Sequence, residues 1–367
     1  MISLTSYAAQ TILLAGILLV FTGRKQKIDA FIGIVVAFWV IAVVYIYSRY
    51  GAEQINFYSN DQAFHWRLLN YYLPNEGIPL RLDAVLSWRY PVILPAYYIS
   101  KVGLDGILLL KFSQLIYLVL IYKSGKKFLV QHNIETKYWH IVFFAGPTLI
   151  FMSSLALRDL ALTFFFMTSI IGKNPSLRII AFITTALLRP HLAAALLFGF
   201  LASMALKRIK NRLFVSTLTI ATIGAYILGT YAYHFGATFK DGVPLQGPYE
   251  IFSQLKITRW GANFIGLQFL TLDETVVSAS ISTLFLSRLI FFDTFLIPIS
   301  FLIILLLQSK WDHIRITTYF TFIFFYGLIS NTDWNSSRQN IPFFVMMGLV
   351  AIVGIEARKA SREELVA

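Results

Sequence analysis

Long apolar runs, most of them closed by clusters of lysine and arginine, decide what this chain can fold into. Residues 4–22 carry no charged side chain and end in Gly23-Arg24-Lys25-Gln26-Lys27. A helix of roughly 20 apolar residues matches the ~30 Å hydrocarbon layer of a bilayer, and such runs recur along the chain. The composition points the same way: 57% of residues are hydrophobic, 16% aromatic and only 13% charged, which lies outside the range of soluble globular domains. With 31 Lys+Arg against 18 Asp+Glu, a soluble chain would suggest nucleic acid as partner. In a chain this apolar, the excess reports orientation and contact with lipid phosphate, and no nucleic acid is expected. The absence of cysteine removes disulfides and thiolate chemistry.

The spans follow from runs and charges. Residues 4–22 and 28–47 form a first pair around the basic cluster, which the positive-inside rule assigns to the cytoplasm. Residues 49–105 read as a long external loop containing a short apolar piece, 92–100, that lies along or dips into the membrane. Residues 107–122 lead inward to Lys123-Ser124-Gly125-Lys126-Lys127, and 139–155 return. Residues 160–171 and 178–188 flank an inner turn at Gly172-Lys173-Asn174-Pro175, and 192–206 and 213–233 flank Lys207 to Arg212. A second external loop covers 234–287, after which 289–307, 316–330 and 341–355 complete the set. The expectation is an all-α polytopic membrane protein of about 11 transmembrane helices in one domain, 1–367. Its N-terminus lies outside and its C-terminus inside, with no cleavable signal peptide.

Three arginines sit where a lipid solvent disfavours them. Residues 179–188 rise only about 15 Å as helix before reaching Arg189-Pro190-His191, so Arg189 lies well below the outer surface. A mid-membrane arginine is disfavoured by roughly 2.5 to 3.5 kcal/mol, so it normally faces a wet cavity or an anion. Arg158 shares that depth, and Arg338 stands at the mouth of the last span. Guanidinium suits a diphosphate because its planar fork gives paired, charge-assisted bonds and never loses its charge. The alternative for each is a local pair, Arg158 with Asp159 or Arg338 with Asp333. In the first external loop, Asp61 and His65 are four residues apart and share a face if that stretch is helical. Asp61, His65 and His191 are the candidate bases for removing a hydroxyl proton. No metal site is expected: there is no His-Glu-x-x-His and no acidic cluster of the hard-cation type.

Taken together, the acidic first loop with Asp61, Arg89-Tyr90-Pro91 opening a short helix, the span ending in Tyr122 to Lys127, and the Ser-Ser-Leu-Ala-Leu-Arg-Asp turn at 153–159 resemble bacterial O-antigen and capsular polysaccharide polymerases. Those proteins are relatives of the GT-C membrane glycosyltransferases. The resemblance implies a GT-C-like fold in the bacterial inner membrane and an inverting, metal- and cofactor-independent transfer at its outer face. The donor and acceptor it implies are undecaprenyl-diphosphate-linked oligosaccharides, with a chain-length regulator protein as a further partner. It also brings Arg259, in the second loop, into the substrate-binding set with Arg158, Arg189 and Arg338. The first loop lacks the paired acidic motif of the mannosyltransferases. Two nearby readings share the site: a GT-C enzyme using a polyprenyl-phosphate sugar, and an O-antigen ligase. A flippase or transporter of an anionic lipid-linked glycan is the reading from another class, and it calls for broken helices at mid-membrane.

Overall fold

The computed structural model describes residues 3–23, 29–51, 60–135, 146–206, 211–241, 300, 303, 312–329 and 341–366. Among these residues every regular element is a helix and none is a strand. It divides into two compact units, one of residues 1–166 and 272–293, the other of 167–271 and 294–367.

The first unit begins with α1 (Leu4–Gly23) and α2 (Ala30–Tyr50). Asp29 caps α2 by accepting from Phe31 N at 3.1 Å, and the same carboxylate accepts from the Tyr122 hydroxyl at 2.6 Å and from Lys126 Nζ at 3.3 Å. Burial pushes this carboxyl up, but the three donors outweigh it and leave its pKa below the usual carboxylate value. Both helices keep apolar faces outward: Phe21 is 70% and Ile41 67% exposed. Such stripes suit lipid, not water.

After α2 come α3 (Asn60–Arg67), a wider π turn at Leu68–Tyr72 and α4 (Leu73–Glu76), in one unbroken helical run. Then follow α5 (Leu82–Ser87), α6 (Tyr90–Ser100) and α7 (Gly106–Gln131). The short apolar piece expected at 92–100 is α6, and its 11 residues are too few to cross a membrane. Helix α7 runs nine residues past the expected end at Tyr122. Lys123, Lys126 and Lys127 recur at helical spacing on its surface, and Gly125 weakens a helix without ending it; Asn133, in the left-handed conformation, marks the stop. The short α8 (Pro147–Ser153) leads through a turn into α9 (Asp159–Ile171).

The second unit takes up the end of α9 and adds α10 (Pro175–Leu188), α11 (Pro190–Leu206), α12 (Asn211–Asp241), α13 (His313–Ile329) and α14 (Ile341–Val366). Small residues let its helices approach. A Cβ at Gly199 would overlap the Thr321 hydroxyl and the Thr317 carbonyl, one at Gly229 the Phe324 carbonyl, and one at Gly327 the Tyr226 carbonyl. Gly199, ten residues beyond Arg189, therefore serves the packing of α11 on α13.

Among the described residues, four stretches are long and apolar enough to cross a membrane: α1, α2, α7 and Ile341–Lys359 of α14. Helices α9, α10 and α11, at 13, 14 and 17 residues, are apolar but shorter than the roughly 20 residues of a perpendicular crossing. The span expected at 289–307 lies outside the described residues except for Ser300 and Ile303.

Candidate functional site

The turn at 154–158, between α8 and α9, is the centre around which the first unit places its buried polar side chains. Non-helical backbone in an apolar setting needs a partner for every N–H and C=O, and neighbouring helices supply them. From α2, Trp39 Nε1 donates to Ser153 O at 2.8 Å. From α3, Gln62 Oε1 accepts from Ala156 N at 3.0 Å, and His65 Nδ1 donates to Ala156 O at 2.6 Å. From α7, Gln114 Oε1 accepts from Leu160 N and Ala161 N at 3.2 and 3.3 Å, capping α9. Trp39, Gln62, His65 and Gln114 are all essentially inaccessible to solvent. Arg158 leaves this fixed turn half-buried, and Asp159 beside it is buried in the first turn of α9.

Against α3 stands Arg89. Its NH2 donates to Asp61 Oδ1 at 3.2 Å, its NH1 donates to His65 Nε2 at 2.7 Å, and its guanidinium lies 5.8 Å from the Phe64 ring centroid. Asp61 and His65 do share one face of a helix, and it is the guanidinium fork that joins them. The backbone of Arg89 is left-handed, φ 58° and ψ 46°, at the junction of α5 and α6. A glycine would be the ordinary residue there, so the side-chain bonds offset a local strain. Sequence reasoning noted Arg89 as a helix start and missed it as a site residue. A partner 24 to 28 positions away leaves no local trace, although an arginine directly before Tyr-Pro at a helix junction was a usable sign.

The bonds around His65 define its chemistry. Ala156 O can only accept, so Nδ1 carries the hydrogen; the guanidinium can only donate, so the Nε2 lone pair is already taken. Burial first, and then the Arg89 charge, push its pKa down to about 3. The Arg158 charge acts in the same direction, which places it within electrostatic range. His65 is therefore a neutral link between Arg89 and the 154–158 turn, and as a base it would have to break the Arg89 bond. The Asp61 side chain, 25% exposed against 13% for Arg89, sits at the rim of this cluster.

The remaining expected residues fall elsewhere. In the second unit, Arg189 is 3% exposed and ends α10 with its N–H on Thr185 O at 2.8 Å, while its carbonyl accepts from Leu192 N at 3.1 Å to open α11. It is thus the single extended residue at a corner between two helices. His191, half-buried, stacks on Phe325 of α13 at 5.8 Å between centroids. Arg259, Asp333 and Arg338 lie outside the described residues. Among the described residues no cluster of three or more His, Asp or Glu forms a cradle for a metal.

Comparison with known proteins gives no match: no family model, curated protein or solved structure corresponds to the chain.

Proposed function

We propose that the chain is a polytopic membrane glycosyltransferase of GT-C-like fold that polymerises undecaprenyl-diphosphate-linked oligosaccharides at the outer face of the bacterial inner membrane. The observation that carries this reading is the Asp61–Arg89–His65 cluster set beside Arg158 on a turn held by three helices. A reaction that expels a diphosphate needs a fixed cation for the leaving group and an acceptor for the hydroxyl proton. Arg158 supplies the first, projecting from a turn whose backbone is bonded by Gln62 and His65 and whose flanks are bonded by Trp39 and Gln114. Asp61 supplies the second, being the rim carboxylate of the cluster with a quarter of its side chain exposed, and Arg89 holds it in position. Arg189, Arg259 and Arg338 are further candidates for substrate phosphates, and His191 is the alternative base. About 11 spans with the N-terminus outside, against the four that length and composition support among the described residues, would bring the first external loop and this cluster to the outer face.

The test is polymer formation. Purified protein is incubated with undecaprenyl-diphosphate oligosaccharide and the products are resolved as a ladder. Wild type extends the ladder, and Asp61→Asn loses about 10²- to 10⁴-fold in turnover with donor binding largely retained. Absence of a ladder from well-folded wild type, together with movement of the labelled lipid-linked glycan across sealed vesicles, would replace this reading with transport. One observation favours that second reading: α10 and α11 are broken at Arg189–Pro190, and discontinuous helices with a buried charge are what a transporter of anions requires.

A further inference from the structure

Lys111 lies on α7, a helix long and apolar enough to cross a membrane, and none of its surface is exposed. Its Nζ has no hydrogen-bond partner among the described residues. Lysines at this depth normally snorkel to water. This one does not, because its exposure is nil. Its helical neighbours Ile107, Leu108, Leu110 and Leu115 are apolar and buried. Gln114, one turn on, is occupied with the amides that open α9.

The opposing charge that acts on Lys111 is Asp105, the N-cap of α7. That carboxylate already accepts from Leu108 N at 2.8 Å, and the backbone N–H of Asp105 is tied to Gln10 Oε1 of α1 at 3.0 Å. Asp105 is thus held by its own helix and by α1, and it makes no hydrogen bond to Nζ. When protonated, a buried lysine carries three donors and a full charge, so an anion that brings several oxygens is the ligand that would satisfy it. Lys111 stands on α7, whereas the Arg89 cluster is built on α3 and the junction of α5 and α6.

We propose that Lys111 is the cation of a second, separate anion site near the N-terminal end of α7, which takes the phosphate of a membrane lipid or of a lipid-linked substrate. The inference stands without the glycosyl-transfer reading, since any phosphate-bearing lipid has the required chemistry. Lys111 is enclosed by apolar side chains on a helix of spanning length, so a phosphate carried on an acyl or polyprenyl chain is the anion suited to reach it.

The experiment is native mass spectrometry of the full chain in a phosphate-free maltoside detergent, titrated separately with phosphatidylglycerol, a polyprenyl phosphate and inorganic pyrophosphate. Wild type should retain one of the two lipids. Retention of phosphatidylglycerol assigns the site to bulk lipid, and selective retention of the polyprenyl phosphate assigns it to a lipid-linked substrate. Lys111→Met keeps the stem length and the apolar packing, so it should fold, and it should weaken the retained lipid by about 10- to 150-fold, the value of one hydrogen bond to a charged group. Lys111→Arg should stay within a few-fold of wild type. Equal retention by wild type and Lys111→Met overturns the proposal, as does retention of pyrophosphate alone or of nothing. A purely structural lysine that balances Asp105 would show itself differently: Lys111→Met would lose stability, Asp105→Asn would restore it, and lipid retention would not change. That result also overturns the proposal. None of these readouts depends on polymer formation, so a failed ladder and a failed lipid site are separate findings.

Discussion

Replacing Arg89 by lysine keeps the charge and removes the fork. Arg89 spans two acceptors, Asp61 Oδ1 and His65 Nε2, from separate nitrogens. A single Nζ on a flexible stem can serve one of them well, so one charge-assisted bond is lost in a cluster whose charged members are no more than a quarter exposed. Such bonds are worth about 1.5 to 3 kcal/mol, and that range is the expected loss in the stability of the first unit. Arg89→Ala should lose more, because it leaves both partners without the guanidinium. Arg89→Gly loses the same side chain but relieves the left-handed backbone, so it should be more stable than Arg89→Ala by about 1 kcal/mol. The assay is unfolding in mixed micelles with increasing SDS, followed by the fluorescence of Trp66 and Trp88, which flank the cluster in sequence. A lysine variant within about 0.5 kcal/mol of wild type would show that the fork contributes nothing beyond charge, below the value assigned to any such bond. An alanine variant as stable as the glycine variant would remove the strain from the account.

Two further outcomes follow from the same structure. His65 has a folded pKa near 3, below the unfolded value near 6.5, so the unfolded state binds the extra proton between those limits. Stability is complete above about pH 6.5 and should fall on acidification towards pH 3 by at most about 1.4 kcal/mol per pH unit from this group; His65→Gln should flatten that window in an SDS-unfolding series, and an unchanged slope would discard the assignment. In the second unit, Gly229→Ala and Gly327→Ala each drive a methyl into a backbone carbonyl of the facing helix, so each should destabilise by about 1 to 3 kcal/mol in the same unfolding assay, whereas Gly224→Ala, where a Cβ meets open space, should not.

The helices were legible because hydrophobic length and capping chemistry are local. Helices α1 and α2 begin and end within three residues of the runs read from sequence, and Asn174 with Pro175 opens α10 as cap and first residue, with its side chain on Ser176 N. The failure at Lys123 to Lys127 is also physical. A charged cluster reads as the end of the span, but lysines are good helix formers, and α7 continues through them to Gln131. In the site, the pairing of Asp61 with His65 followed from spacing alone. The role of His65 did not, because it depends on Arg89, 24 residues later, and on a carbonyl 91 residues away. Gln62 and Gln114 were equally hidden, since a lone glutamine in an apolar stretch has no pattern to announce it.

The division of labour around the 154–158 turn separates structural polar groups from functional ones. In lipid, every backbone N–H and C=O outside a helix must find a donor or acceptor within the protein, and unsatisfied groups cost several kcal/mol each. Trp39, Gln62, His65 and Gln114 meet that requirement: each contacts backbone of the turn or its flanks, and all are buried. They explain why the turn can exist; they do not explain why it should. A continuous helix through residues 147–171 would have satisfied the same backbone without borrowing four side chains from three other helices. What the break provides is a change of direction at Arg158, which leaves the turn half-buried within electrostatic range of His65 and, through Arg89, beside the rim carboxylate Asp61. Arg89 is tied to Asp61 and His65 through its guanidinium, and the Arg158 charge acts on His65. Under the proposed glycosyl transfer, the cations and the rim carboxylate gathered at this break are the groups that would meet a leaving diphosphate and an acceptor hydroxyl.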